Sequence, residues 1–250
     1  MPKADIMLEI RLNQVRTDDE SRAAYDIVYS EADISQPHSF YLWIYDLLML
    51  RPGDAYLDVS CGRGELLRLA RETQAEPFGI DLSHNALKIG QAASEYTHLT
   101  VANSQELPYA DNSFDVISNI GSIEHYVDMQ TAVREMARVL KPNGRAVVLV
   151  PNTFSLLNNI WIALRQGRTS IDPYQPIQRY GARYEWQELL EDNGLVVQKT
   201  IKYDRVKPRT RNELKTLLSH PKELARLILA PFVPLNLAFC FVFICHKANN

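Results

Sequence analysis

One stretch constrains this chain more than any other. Tyr56-Leu57-Asp58-Val59-Ser60-Cys61-Gly62-Arg63-Gly64-Glu65 carries a short apolar run into a glycine-bearing turn and then into a helix start. Small residues in such a turn let the backbone approach a ligand closely, and the helix start offers unpaired N–H groups. Nineteen residues after Gly62 comes Asp81, at the end of a second apolar run in Gly79-Ile80-Asp81-Leu82-Ser83. An acid at about 20 residues is placed to accept from both hydroxyls of a ribose. A lone Gly-x-Gly says little, but strand, turn, helix, strand and acid in that order point to an adenosine-bearing ligand. A pyrophosphate dinucleotide site wants a third glycine three positions on, and Leu67 stands there, which argues for a smaller ligand than NAD.

The rest of the chain extends the same rhythm. Helices are expected over 18–29, 40–50, 65–73, 85–95, 129–140 and 185–193, the last closed by Gly194. Strands are expected over 55–59, 77–80, 99–102, 114–118 and 145–150, with two late ones over 195–203 and 238–245. Strands alternating with helices at this spacing make βαβ units and a parallel sheet. Uninterrupted apolar strands such as Val147–Val150 suit a sheet covered on both faces.

At 250 residues, 46% hydrophobic and 23% charged, the chain fits one large α/β domain and not a disordered or disulfide-built one. Cys61, Cys240 and Cys245 are few and lack metal-ligand spacing, which predicts a reducing compartment and no metal site. The charged N-terminus has no apolar signal region, which predicts a cytoplasmic protein. Leu224–Cys245 is long enough to span a membrane, but Arg226, Pro231, Pro234 and Asn236 interrupt it. A helix ending near Pro231 followed by a buried strand is the better expectation.

Four motifs now line up. Asp58-Val59-Ser60-Cys61-Gly62-Arg63-Gly64 resembles the D-V-G-C-G-x-G signature of the class I S-adenosylmethionine-dependent methyltransferases, small-molecule branch. Gly79–Ser83 resembles that family's second motif. Leu107–Ile117 is similar to its L-P-F-x-D-x-S-F-D-x-V run, and Arg138–Gly144 to its R-V-L-K-P-G-G turn. The resemblance covers roughly residues 45–150. It implies an α/β, Rossmann-like class I methyltransferase fold: a mostly parallel seven-stranded sheet, an antiparallel last strand and helices on both faces. It also implies S-adenosyl-L-methionine as cofactor. Two departures stand out: the first signature glycine is Ser60, and the acid expected before the L-P run is Asn103. Serine adds a hydroxyl toward the ligand, while the Asn carbonyl still accepts from an adenine amine without the charge. Weaker cofactor binding is expected.

The family resemblance assigns roles to particular residues. The backbone of Ser60, Cys61, Gly62 and Gly64 would wrap the ligand's amino-acid tail, with Asp58 near its ammonium. A second reading makes Asp58 a cap on the turn's N–H groups. Asp81 would hold the ribose and Leu82 would pack under the adenine, which Asn103, Ser104 and Gln105 would border. Asn119 and Ile120, with Gly121 and Ser122, would lie beside the methyl donor. Tyr25 and Tyr29, four apart on one helical face, would either close over the sulfonium or pack the lid on the sheet. If the acceptor is a hydroxyl or ammonium, a base must take its proton, and His125 is the candidate; the other reading has His125 only packing and hydrogen-bonding.

Four regions follow within a single domain, 1–250: an N-terminal lid, 1–45; a cofactor-binding core, 46–150; an insertion or cap, 151–184; and a C-terminal helix and strand pair with a basic connector, 185–250. The expected partner is a small-molecule acceptor methylated on O or N, such as a glycan, a lipid-linked intermediate or a secondary metabolite. A non-catalytic binding module and an aminopropyl-type transferase are the alternatives. The net charge of −3 hides an asymmetry, since residues 199–226 hold nine Lys/Arg against three Asp/Glu. The remainder is acidic and carries no base-clamping N-P-P-Y motif, which argues against a nucleic-acid acceptor. The basic segment, 199–230, is either a solvated face or a peripheral contact with lipid phosphate. Oligomeric state is left open.

Overall fold

Runs that stay apolar without interruption become the inner strands, because helices cover both faces of a parallel sheet. The computed structural model describes residues 8–12, 15–31, 34–93 and 98–248. Its strands are β1 (Leu8–Arg11), β2 (Ala55–Val59), β3 (Glu76–Asp81), β4 (Leu99–Val101), β5 (Phe114–Ile120), β6 (Leu140–Pro151), β7 (Ile177–Tyr180), β8 (Leu195–Tyr203) and β9 (Cys240–Lys247). The helices are α1 (Asp18–Glu31), α2 (His38–Leu48), α3 (Glu65–Glu72), α4 (His84–Ala93), α5 (Met129–Val139), α6 (Trp161–Gln166), α7 (Arg183–Asp192), α8 (Arg211–Ser219) and α9 (Pro221–Leu229).

Seven strands form one sheet in the order β4-β3-β2-β5-β6-β9-β8. All run parallel except β9, which is antiparallel to both β6 and β8. This is the expected architecture. The chain steps outward from β2 to β4, then returns to the other side of β2 with β5. That reversal opens a crevice at the carboxyl ends of β2 and β5, where open α/β sheets bind ligands. Strand β9 shows the two-sided burial directly. Phe241, Phe243 and Cys245 join one core with Val133, Met136 and Trp186, while Val242 and Ile244 join the other with Ile44, Leu48 and Leu67.

Some boundaries differ from the sequence expectations. Helix α2 stops at Leu48 because Met49 turns left-handed at φ 52, ahead of the Pro-Gly pair. Lys141–Gly144, expected as the stop after α5, lies within β6, where a register shift falls between Phe114 and Val116 of β5. The Leu224–Cys245 stretch divides into α9 and β9, and among the described residues no helix is long and apolar enough to cross a membrane. The helix expected over 85–95 is described as α4, and residues 94–97 lie outside the described residues.

One pairing had no counterpart in the sequence reading. β1 and β7 form a separate antiparallel ribbon, with Leu8 opposite Tyr180 and Arg11 opposite Ile177. The start of the lid and the end of the insertion are therefore one structure. Buried Arg179 fixes it to the sheet edge: its Nε donates to Glu9 Oε2 at 2.7 Å and its Nη1 to the Tyr126 carbonyl at 2.5 Å.

Candidate functional site

The glycine turn after β2 alternates its backbone hand. Ser60, Gly62 and Gly64 are left-handed, at φ 64, 54 and 77. Glycine adopts this region freely, whereas a residue with a Cβ pays roughly 1–2 kcal/mol. Ser60 is held there by its own side chain, whose Oγ lies 2.6 Å from the Tyr126 hydroxyl. The hydroxyl expected to face a ligand is thus already engaged. Gly62 has no room for a larger residue, since a Cβ there would sit 2.8 Å from the Tyr29 hydroxyl oxygen. A Cβ at Gly90 would meet the Arg63 carbonyl oxygen at 2.8 Å, so α4 packs directly on the turn.

Two acids flank this turn. The Gly62 N–H donates to Asp81 Oδ2 and the Ser83 N–H to Asp81 Oδ1, each at 2.8 Å. Each oxygen keeps a lone pair for another donor. Burial pushes Asp81 up to about 6, against these backbone bonds. Asp58 is buried, and its Oδ1 accepts from Ser118 Oγ at 2.5 Å. Its partner is thus a side chain of β5 and not the turn's N–H groups. Burial pushes Asp58 up to about 7, offset by the Ser118 bond and reinforced by the Asp81 charge.

Two contiguous cavities, of about 90 and 240 Å³, occupy the crevice. The smaller is lined by Tyr25, Asp81, Leu82, Asn103, Ser104, Gln105 and His125. The larger is lined by Asp58, Cys61, Gly62 and Ile120, and reaches Tyr203 and Phe239. Tyr29, Ser60, Gly121 and Ser122 line both. Most of the expected site residues therefore share one space. Gly64 and Asn119 line neither cavity. Gly64 sits at the start of α3. Asn119 is fully buried, and its amide braces the site: Nδ2 donates to the Val59 carbonyl and to the Tyr126 hydroxyl, while Oδ1 accepts from the Ile123 N–H.

Helix α1 roofs the smaller cavity, held at three points. Asp18 Oδ2 accepts from Asn103 Nδ2 at 2.8 Å, and Asp18 Oδ1 from Gln105 Nε2 at 2.7 Å. Asp26 accepts from the Ser83 hydroxyl at 2.5 Å and the Asn85 N–H at 3.2 Å, at the start of α4. The Tyr25 hydroxyl donates to Gln175 Oε1 at 2.8 Å, reaching across to the insertion. The roles of Asp18 and Tyr126, and the reach of Gln175 to Tyr25, were not read from the sequence. Asp18 looks there like an ordinary acid in a helix's first turn, and the other two carry no local pattern.

His125 lies in a short 3-10 turn, Ile123–His125, after β5. Its Nδ1–H donates to the Ile177 carbonyl at 2.5 Å, which leaves the lone pair on Nε2. Burial holds the imidazole down at about 4, so it is neutral through the physiological range. Glu124 Oε1 lies 3.7 Å from Nε2, and burial pushes that carboxyl up to about 8.

Comparison with known proteins supplies a family context. Residues 57–148 match the family model described as a methyltransferase domain. Methyltransferase GfsG of Streptomyces halstedii is 31% identical over 61% of this chain and 56% of its own length. The demethylmenaquinone methyltransferase of Symbiobacterium thermophilum is 31% identical over 57% of this chain and 66% of its own. The chain thus spans less than two thirds of either relative. The solved S-adenosylmethionine-dependent methyltransferase from Mesorhizobium loti superposes with a TM-score of 0.63 at 17% identity, covering 88% of this chain and all 100% of that one. At that identity the likeness speaks for the fold.

Proposed function

The chain belongs to the class I S-adenosylmethionine-dependent methyltransferase family, and from that premise we propose that it transfers a methyl group from S-adenosyl-L-methionine to a small-molecule acceptor. The single observation that carries this is the pair of joined cavities, with Asp81 on the wall of one and Asp58 on the wall of the other. The residues present fit the cofactor: Asp81 keeps free lone pairs, Asp58 is a buried acid with one partner, and Gly62 leaves a cradle that a Cβ would fill. When bound, S-adenosylmethionine supplies an electrophilic methyl group on a sulfonium.

Asp81 would accept from the two ribose hydroxyls. Leu82 would pack under the base, with Asn103, Ser104 and Gln105 bordering it. Asp58 would meet the ammonium of the amino-acid tail, whose cation would favour its ionised form. Tyr25 and Tyr29 close the roof and exclude water, while Cys61, Gly62 and Ile120 shape the floor. Methyl transfer asks mainly for alignment in a dry pocket. His125, fixed in the tautomer that bares Nε2, accepts the acceptor's proton where one must leave. Asn119 acts by holding Tyr126, and through it Ser60.

The acceptor is a small molecule methylated on O or N. The insertion, 151–184, contributes Gln175 to the wall of both cavities. One relative's printed name gives demethylmenaquinone as what it methylates, which supports a small-molecule acceptor. We read 1–250 as one domain with the lid, core, cap and C-terminal divisions given above. Titration calorimetry with S-adenosylhomocysteine tests the cofactor: binding in the micromolar range is expected, and no heat at millimolar ligand rejects it. Donor consumption across an acceptor panel then tests turnover. Turnover on any acceptor in the panel rejects the non-catalytic binding module.

A further inference from the structure

Part of the basic connector, expected above to be either a solvated face or a lipid contact, is held by the fold. Lys202 Nζ donates to the carbonyls of Ala230, Pro231 and Val233. Arg205 and Arg226 both pair with Glu223, at 3.0 and 3.1 Å, and Arg209 pairs with Asp46 at 2.6 Å. The face formed by α6 and α9, which includes Lys222 of that connector, carries unpaired charge beside exposed apolar side chains. On α6, Trp161 is 54% and Leu164 77% exposed; on α9 and just beyond, Ile228 is 59%, Leu229 47% and Phe232 80% exposed. A groove of about 520 Å³ runs between these helices, walled by Trp161, Arg165, Lys222, Ala225 and Leu229. Among the described residues Arg165, Arg168 and Lys222 have no acidic partner, and Arg165 lies over the Trp161 ring, 5.3 Å from its centre.

Large apolar side chains left in water in a cluster mark an interaction surface. Trp at the margin, Leu and Phe at the tip and Lys/Arg around them is the composition that seats a helix in a headgroup boundary. Topology places this surface beside the site. Helix α6 follows the carboxyl end of β6, and α9 lies in the connection leaving the parallel β8. Tyr203 and Phe239, at the two ends of that connection, line the larger cavity.

We propose that the α6–α9 face docks on an anionic lipid surface, with Trp161, Leu164, Ile228, Leu229 and Phe232 entering the headgroup layer and Arg165, Arg168 and Lys222 meeting lipid phosphates. The acidic remainder of the molecule disfavours other approaches and so sets the orientation. The larger cavity then opens beside the bilayer, within reach of an acceptor held there.

Vesicle flotation of the full chain tests this. Binding to phosphatidylglycerol-containing vesicles at low salt is expected, with a loss of tenfold or more on pure phosphatidylcholine or at about 0.5 M salt. Leu164→Glu with Phe232→Glu should lower binding at least tenfold at an unchanged thermal midpoint, and Lys222→Ala about fivefold. Absence of flotation on the anionic vesicles at low salt overturns the proposal, as does flotation of the double variant at the wild-type level. Loss of binding through Lys207→Ala and Lys215→Ala but not through the α6–α9 substitutions also overturns it. So does a dimer in sedimentation that the double variant dissociates, with no vesicle binding, which assigns the face to a second copy. Flotation does not depend on the methyltransferase reading: a chain that floats but binds no S-adenosylhomocysteine keeps this inference and loses that one.

Discussion

Asp18 and Asn103 stand 85 positions apart in sequence, yet Asn103 Nδ2 donates to Asp18 Oδ2 at 2.8 Å. The family resemblance puts an acid at position 103, and the sequence has an amide there. The fold brings a carboxylate to that amide from another element, with Gln105 as second donor. Charge-assisted bonds of this kind contribute about 1.5–3 kcal/mol when shielded, and less here because the pair is only partly buried. Asp18→Ala should therefore weaken S-adenosylhomocysteine binding about tenfold, with Asp18→Asn intermediate, read by calorimetry. Unchanged affinity in Asp18→Ala would show that the roof is held without this contact.

His125 differs from an ordinary surface histidine in being neutral down to about pH 4. If it takes the acceptor's proton, turnover stays flat from pH 5 upward as far as this group is concerned. His125→Ala should lower turnover by about 10²-fold or more, while cofactor affinity changes little. A variant that keeps near-full turnover at neutral pH removes the base role.

The buried carboxyls give the ligand-free protein a particular pH response. Asp58, Asp81 and Glu124 hold their protons up to about 7, 6 and 8, against ordinary values of 3.8 for Asp and 4.5 for Glu. Protonation of these groups stabilises the fold in full below the ordinary values. That contribution is lost as pH rises through 6 to 8, because the folded state must then ionise buried acids. His125 has the opposite sign: its contribution is present above its ordinary 6.5 and is lost as pH falls toward 4. Three groups against one predict a thermal midpoint that falls between pH 5 and 8, with Glu124→Gln flattening the upper part. A level or rising midpoint across that window contradicts the burial of these groups.

Gly62 and Tyr29 should behave as a coupled pair. A methyl group at Gly62 meets the Tyr29 hydroxyl at 2.8 Å while the ring carbon behind it lies at 3.7 Å. Gly62→Ala should destabilise by about 2–4 kcal/mol in wild type, combining overpacking with a left-handed backbone. In a Tyr29→Phe background the cost should fall to about 1–2 kcal/mol, since only the backbone term is left. Denaturant unfolding of the four proteins measures the difference, and strict additivity would refute the contact.

The sheet was legible because its evidence is local. Ala55–Val59, Gly62, Gly64 and Asp81 announce strand, turn and acid within a few dozen residues, and each then occupies the expected place. The late strand over 238–245 could be read for the same reason, as an uninterrupted apolar run. What could not be read depends on partners remote in sequence. Nothing near Asp18 reveals Asn103, and nothing near Ser60 reveals the Tyr126 hydroxyl that occupies its side chain. The four-residue strands β1 and β7 have no pattern until they meet. The family resemblance put Asn119 beside the ligand, whereas it lies within β5 and its amide is taken up by Val59, Tyr126 and Ile123. Charge counting along 199–226 gives the excess of cations but not their placement: Arg205 and Arg226 share Glu223, and Arg209 reaches Asp46.

The ribbon of β1 and β7 carries a thermodynamic corollary. It ties the roof over the smaller cavity, proposed for the nucleoside, to the segment proposed to border the acceptor, and Tyr25 and Gln175 repeat the tie one layer in. A ligand that orders one segment has by then met part of the ordering entropy of the other. The two ligands should therefore bind with positive cooperativity, and by linkage the factor by which donor tightens acceptor equals the factor by which acceptor tightens donor.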